Sequence, residues 1–315
     1  MKTRSFLTAC LAVVFAIGAT AALMSCKPAA GPGDAGAHKL KVITTLFPLY
    51  DMARYAGGDK AEVSLLLPPG VEPHSYEPKP TDIIKIGDAD VFIYTGKFME
   101  PWAADIVMRV TNKNLLVVDA SQGTKMIAAV FHDADEPAGS LDPHIWLDFD
   151  NARIMVKGIV NALKAKDSAN KDYYEQRASD YISRLAALDS SFKTTLAACK
   201  SNEIIYGGHY AFGYLARRYG LRYTAAQGIS PDAEPTARDM ANLVKQIRKE
   251  RIKYVFYEEL TSPKIAETLA GETGAKLLLL NAAHNLTKDE LDKGVSYFDV
   301  LMRDLNNLKV GLECQ

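Results

Sequence analysis

The chain has 315 residues, of which 48% are apolar, and its 37 basic and 38 acidic side chains leave a formal net charge of −1. No basic stripe accompanies that balance, which argues against a nucleic-acid surface. Apolar content is ample for a globular fold, and the roughly 290 residues beyond a short amino-terminal leader are more than one core usually supports, so two lobes are expected.

Lys2 and Arg4 precede an apolar run from Phe6 to Leu23, followed by Met24-Ser25-Cys26. A basic start, an apolar stretch and a small residue at the cut describe a secretory signal over residues 1–25. A membrane anchor is the rival reading of a run of borderline length, rich in Ala, Gly and Thr. Cys26, just after Leu-x-Ser, resembles the lipidated cysteine of a bacterial lipobox. The expected product is an extracytoplasmic protein, periplasmic or on the outer face of a bacterial membrane, lipid-anchored through Cys26. Residues 26–39, rich in Gly, Pro and Ala, form a flexible tether carrying His38. Cys10 leaves with the leader, so Cys199 and Cys314 remain. In an exported protein the pair suggests a disulfide, and two free thiols stay open, because sequence cannot bring the two within bridging range.

The first lobe, residues 40–168, alternates strand and helix. Strands are predicted at Lys41–Leu46, Glu62–Leu67, Asp90–Gly96 and Leu115–Ser121, with helices over Leu49–Tyr55, over Thr81–Ile86 and from Pro101. Short apolar runs between helices are the pattern of a parallel sheet covered on both faces. A polar connection, Gln122–Leu141, carries His132, Asp133, Asp135 and Glu136; it reads as solvated, with a metal-collecting role as the alternative. A helix opens at Asp150-Asn151 and runs to about Lys166, with Ile154, Val156, Ile159, Val160 and Leu163 on its apolar face.

Residues 169–198 are expected to join the lobes. From Asn170 to Leu196 there is neither Gly nor Pro, and Tyr174, Ala178, Tyr181, Leu185, Leu188 and Phe192 recur at three- and four-residue steps. This spacing predicts one long rigid helix of roughly 40 Å at 1.5 Å per residue. The second lobe, residues 199–315, repeats the alternation. Its strands are predicted at Glu203–Gly208, in Arg222–Gly228, at Tyr254–Leu260 and at Lys276–Ala282. Its helices are predicted over the segment closed by Gly220, over Thr236–Glu250, over Pro263–Thr273 with Gly274 as cap, and over Ser296–Leu308. The fold class is therefore α/β: two four-stranded parallel sheets flanked by helices, joined by one long helix.

Four histidines, His74, His144, His209 and His284, each follow a predicted strand, two in each lobe. The carboxyl ends of parallel strands face a common crevice where ligands bind. Four imidazoles there fill a tetrahedral zinc site, with no open catalytic position. Asp142, Glu77, Glu258 and Glu259 are candidates to fix the second ring nitrogens, and Glu258 or Glu259 is a carboxylate alternative to one histidine. Enzyme signatures are scarce: the chain lacks His-Glu-x-x-His, Gly-x-Ser-x-Gly, Walker A and Gly-x-Gly-x-x-Gly patterns. It is read as a binding protein, not an enzyme, and Trp102 and Trp146 as packing residues.

The segments GVEPHSYEPKPTD, DPHIWLD, GGHYAFGYLARRYGL, GISPDAEPT and FYEEL, in this order, resemble the successive motifs of the zinc/manganese solute-binding lipoproteins that feed ABC importers, the cluster A-I metal-binding family. The resemblance covers the chain from Lys41 onward. It implies two lobes around a long helix, one metal in the interlobe cleft, capture of free metal outside the inner membrane, and delivery to an ABC transporter permease; a monomer is expected. His74, His144 and His209 fall on the family's first three ligand positions. His284 stands where some zinc-branch members carry a carboxylate ligand. The manganese branch tends to place Glu third and an Asp just before the Tyr of the last helix; here Val295 and Ser296 precede Tyr297, so zinc is expected. Manganese or iron binding within the family, a metal-dependent hydrolase and an adhesin lipoprotein are the alternatives.

Overall fold

The computed structural model of the protein describes residues 39–129, 139–232 and 234–315. The expected leader, Cys26, the tether through His38, and His132 with Asp133, Asp135 and Glu136 lie outside the described residues.

The first lobe runs β1 (Leu40–Thr44), α1 (Phe47–Gly57), β2 (Ala61–Leu65), α2 (Pro80–Gly87), β3 (Val91–Tyr94), α3 (Ala103–Arg109), β4 (Leu116–Asp119) and α4 (Phe149–Lys166). The helix α5 (Lys171–Ala197) follows. The second lobe runs β5 (Glu203–Tyr206), α6 (Gly213–Tyr219), β6 (Arg222–Ala225), α7 (Ala237–Glu250), β7 (Tyr254–Tyr257), α8 (Lys264–Thr273), β8 (Lys276–Leu279), α9 (Lys288–Asp292) and α10 (Tyr297–Gly311). The sheet orders are β2-β1-β3-β4 and β6-β5-β7-β8, parallel throughout. The two lobes thus share one topology.

Both sheets are covered on both faces, and side-chain alternation shows how. Val91 and Ile93 of β3 enter the main core, while Phe92 between them joins an outer cluster with Ile86, Ala103 and Ile106 under α2 and α3. In the second lobe Ile204 and Tyr206 face the main core and Ile205 joins Leu243, Ile247, Ala266 and Leu269 under α7 and α8. Buried runs without polar alternation are what a doubly covered parallel sheet requires.

Besides these outer clusters, the two lobes share one main core. The main cluster is continuous from Leu40 to Leu312 and includes the whole inner stripe of α5: Tyr174, Ala178, Tyr181, Leu185, Leu188, Phe192 and Leu196. The long helix packs on α1 and α4 and also on α6 and α10. It is a shared wall of both lobes rather than a free-standing strut. A buried polar link pins it: Tyr181 Oη donates to Asp51 of α1 at 2.8 Å, and burial raises the Asp51 pKa.

Local rules account for most boundaries. Thr236 and Ser296 cap α7 and α10 in reciprocal capping boxes with Asp239 and Asp299. Gly220 and Gly274 close α6 and α8 in the left-handed region. The strand predictions run two or three residues too far at their carboxyl ends, into loops that are themselves largely buried. The short helix α9 was not predicted from the sequence; it has a Thr287–Glu290 capping box but no apolar stripe. Cys199 and Cys314 lie on facing backbone segments with their sulfurs bonded, joining the entrance of the second lobe to its carboxyl terminus.

Candidate metal centre

Four loops deliver the four histidines. His74 sits in the coil between β2 and α2, His144 in the connection from β4 to α4, His209 three residues beyond β5, and His284 beyond β8. His144, His209 and His284 are buried and His74 is half-buried. One ligand atom from each lies within 4.8 Å of all the others. The Nε2 of His144 is 3.3 Å from that of His74 and 3.2 Å from that of His209. Four nitrogens at the usual Zn–N distance of about 2.0–2.1 Å on a tetrahedron stand about 3.3 Å apart. The Nε2 of His284 is buried and has no hydrogen-bond partner among the described residues, the state expected of a lone pair aimed at a metal position.

Two histidines are held in the same way. Asp142 Oδ1 accepts both the backbone N–H of His144 (2.9 Å) and its Nδ1–H (2.7 Å). Glu258 accepts the backbone N–H of His209 at 3.0 Å on one oxygen and its Nδ1–H at 2.6 Å on the other. Each carboxylate fixes a tautomer with the proton on Nδ1 and leaves Nε2 free to ligate. Room for Glu258 comes from Gly208, and its neighbour Gly207 makes room for Ala266. A Cβ on Gly208 would strike the Glu258 carboxylate, and one on Gly207 would meet Ala266 at 2.6 Å.

The other two histidines are held through the backbone. His284 follows Ala283, which has φ of 59° and gives its N–H to Asn281 Oδ1 at 2.7 Å. The carbonyl of His284 accepts the N–H of Phe47 in α1 at 3.1 Å. Glu259 stands 3.7 Å from His284 Nδ1, beyond hydrogen-bond range, and accepts Ala282 N–H instead. The loop of His74 is tied across the cleft: Asn285 Nδ2 donates to the carbonyls of Pro68 (2.7 Å) and Val71 (3.0 Å), and Gly70 N–H donates to Leu286. Trp146 lies against His144 and His284, with ring centroids at 5.5 and 5.2 Å, and donates its indole N–H to the Ala282 carbonyl at 2.7 Å.

Burial, and secondarily the neighbouring imidazoles, holds His74, His144 and His284 well below the ordinary histidine pKa. These rings are neutral, as ligation requires. Burial, reinforced by Glu258, pushes Glu259 well above the usual carboxylate range.

Of the acidic residues considered from sequence, Asp142 and Glu258 orient histidines, Glu259 braces the His284 loop, and Glu77 is exposed. Glu72 was missed. Its half-buried carboxylate, with a pKa raised chiefly by burial, turns back on the loop through Ser75 N–H at 3.0 Å and the backbone of His74. A signal was present: Glu72-Pro73-His74 and Asp142-Pro143-His144 are both acid-Pro-His. Trp102 and Trp146 both pack; Trp146 does so on the site itself.

The family model of the periplasmic zinc-uptake complex component A, ZnuA, matches residues 42–311. The chain belongs to this family. It is 37% identical over 289 residues to the high-affinity zinc uptake system protein ZnuA of Bacillus subtilis, covering 90% of each chain. It is 34% identical to the zinc-binding lipoprotein AdcA of Streptococcus pneumoniae, with 86% of this chain aligned but only 55% of AdcA, so it spans about half of that relative. The crystal structure of the Zn(II)-bound ZnuA-like domain of the same AdcA superposes with a TM-score of 0.76 at 34% identity, covering 88% of this chain and all of the domain. The ZnuA family is one of periplasmic zinc-uptake components, and the two-lobed fold built around α5 is the one this chain shares with its solved relatives.

Proposed function

We propose that this protein captures Zn2+ outside the cytoplasmic membrane, with His74, His144, His209 and His284 as the four ligands, and delivers it to an ABC transporter permease. The observation that carries the reading is the convergence of four ring nitrogens, from both lobes, at separations that fit one tetrahedral ion. The zinc-binding relatives support the choice of ion. The donor set supports it too, since imidazole suits zinc, whereas manganese favours carboxylate and water. The nearby carboxylates stand behind the rings and face their Nδ1 or the backbone, so the set is all nitrogen. Four protein ligands leave no position for a metal-bound water, which supports a cargo site rather than a hydrolase.

The remaining parts of the reading concern delivery. Residues 1–25 act as a lipoprotein signal, Cys26 carries the lipid, and residues 26–39 tether the body to the membrane. Residues 40–168 and 199–315 are the lobes around the ion, with 169–198 between them, and the protein works as a monomer. No described helix is long and apolar enough to cross a membrane. The Cys199–Cys314 bridge forms on export.

The deciding experiment is a chelator-competition titration of zinc and manganese, with elemental analysis of the loaded protein. One zinc per chain, bound far more tightly than manganese, is expected. Comparable affinities for the two metals would overturn the zinc reading.

A further inference from the structure

Away from the four histidines, a charged cluster joins three elements. Arg218, in α6 of the second lobe, donates to Asp189 of α5 through Nε (2.8 Å) and Nη2 (2.6 Å). Its Nη1 reaches Asp148 (3.2 Å) and Asp150 (2.9 Å) at the start of α4, which packs on the first-lobe sheet. Arg153 bridges Asp150 and Asp189, and Tyr219 Oη donates to Asp189 at 2.8 Å. Arg218, Asp189 and Asp148 have side chains only about one fifth exposed (19%, 18% and 21%). A bidentate, partly buried network of this kind holds geometry in a way that isolated surface pairs do not.

The position of the cluster gives it a consequence at the metal. Asp148 ends the turn Ile145–Leu147 that begins at His144, and its Oδ1 caps α4 by accepting Asp150 and Asn151 N–H. Arg218 belongs to the helix that follows His209. A guanidinium carried on the helix just after one ligand therefore grips the segment just after a ligand of the other lobe. We propose that Arg218 is a positioning residue for the metal: through Asp148 it holds His144 and His209 in register across the lobes and so slows release of the ion. This rests on the zinc-binding reading above. Separation of the lobes must break the two Arg218 bonds to Asp148 and Asp150, and also the three that Arg218 and Tyr219 make to Asp189 if α5 stays with the first lobe. Release is thereby coupled to an ionic contact that no ligand touches.

The test is stopped-flow zinc dissociation into excess chelator. Arg218→Gln is expected to speed dissociation by about tenfold, the scale of a broken charged network, with Arg218→Lys partly restoring the wild-type rate. Asp148→Asn keeps the helix cap, because Asn caps as well as Asp, and loses only the charge; it is expected to speed release as well, and it carries the test if Arg218→Gln does not fold. Added salt should accelerate dissociation in the wild type and leave Arg218→Gln unaffected. Wild-type rates in both variants, or an accelerated rate with unchanged salt dependence, would overturn the proposal. A wild-type protein that fails to bind zinc would instead sink the zinc reading itself.

Discussion

At the scale of single residues, the site depends on what stands behind each imidazole. Replacing His74, His144 or His209 by Ala should weaken zinc binding greatly, and replacing His132 should leave it near wild type. His284→Ala should keep part of the affinity, since three histidines and a water remain a viable zinc set; a chelator titration reads all of these. Unchanged affinity in His284→Ala would move the fourth position to a carboxylate or water. A second residue-scale prediction concerns Gly208. Its Cβ would displace the Glu258 carboxylate that orients His209, so Gly208→Ala and Glu258→Gln should each lower zinc affinity by about 10–100-fold, the usual range for residues orienting a ligand. Full affinity in Gly208→Ala would mean that Glu258 is not needed in place. The pH dependence follows from the buried rings. His74, His144 and His284 have folded-state pKa values well below their unfolded values. Below an unfolded-state pKa of about 6.5 the unfolded chain takes up protons that the folded one refuses, so stability is lost as pH falls. The melting temperature of metal-free protein should therefore hold above about pH 6.5 and decline steadily below it. The zinc-loaded protein should start from a higher melting temperature, because the ion binds only the native state, and should lose that gain as falling pH protonates the ligands and releases the ion.

At the scale of elements, α5 decides how the molecule unfolds. Leu185 is fully buried in the stripe this helix presents to both lobes. Leu185→Ala should cost about 2–5 kcal/mol, the range for a buried leucine truncated in a close-packed core. Because one core runs through both lobes, the loss should appear as a single shifted urea transition, monitored by far-ultraviolet dichroism. Two resolved transitions would indicate that the lobes are independent. The apolar stripe of α5 was readable as sequence because its residues recur at the helical period. That the stripe serves both lobes was not readable, since period alone does not name what lies opposite. The short helix α9 escaped for the converse reason: five residues with a good cap carry too little periodicity to stand out.

At the scale of the whole molecule, the disulfide closes a long loop. Cys199 and Cys314 are 115 residues apart in sequence, and removing the bridge by Cys199→Ser with Cys314→Ser should cost about 2–5 kcal/mol. Thiol titration of unreduced, denatured mature protein should find no free thiol in the wild type; two free thiols would rule the bridge out. The sequence by itself determined the α/β class, the strand–helix alternation in each half, the long helix and the four histidines as candidates. Each of these is written in local pattern: period, breaker residues and short motifs. The tertiary structure alone decided the rest. His144 and His209 are 65 positions apart in the chain, Asp148 and Arg218 70, and no local rule states that they meet. Glu258 was legible only as one of several nearby acids until the close approach of the Gly208 backbone showed which ring it serves. The shared core, the tie from Asn285 to the His74 loop and the Arg218 clamp all join segments from different lobes. They arise from packing two similar sheets on one helix, and packing depends on shapes in three dimensions that a linear pattern does not carry.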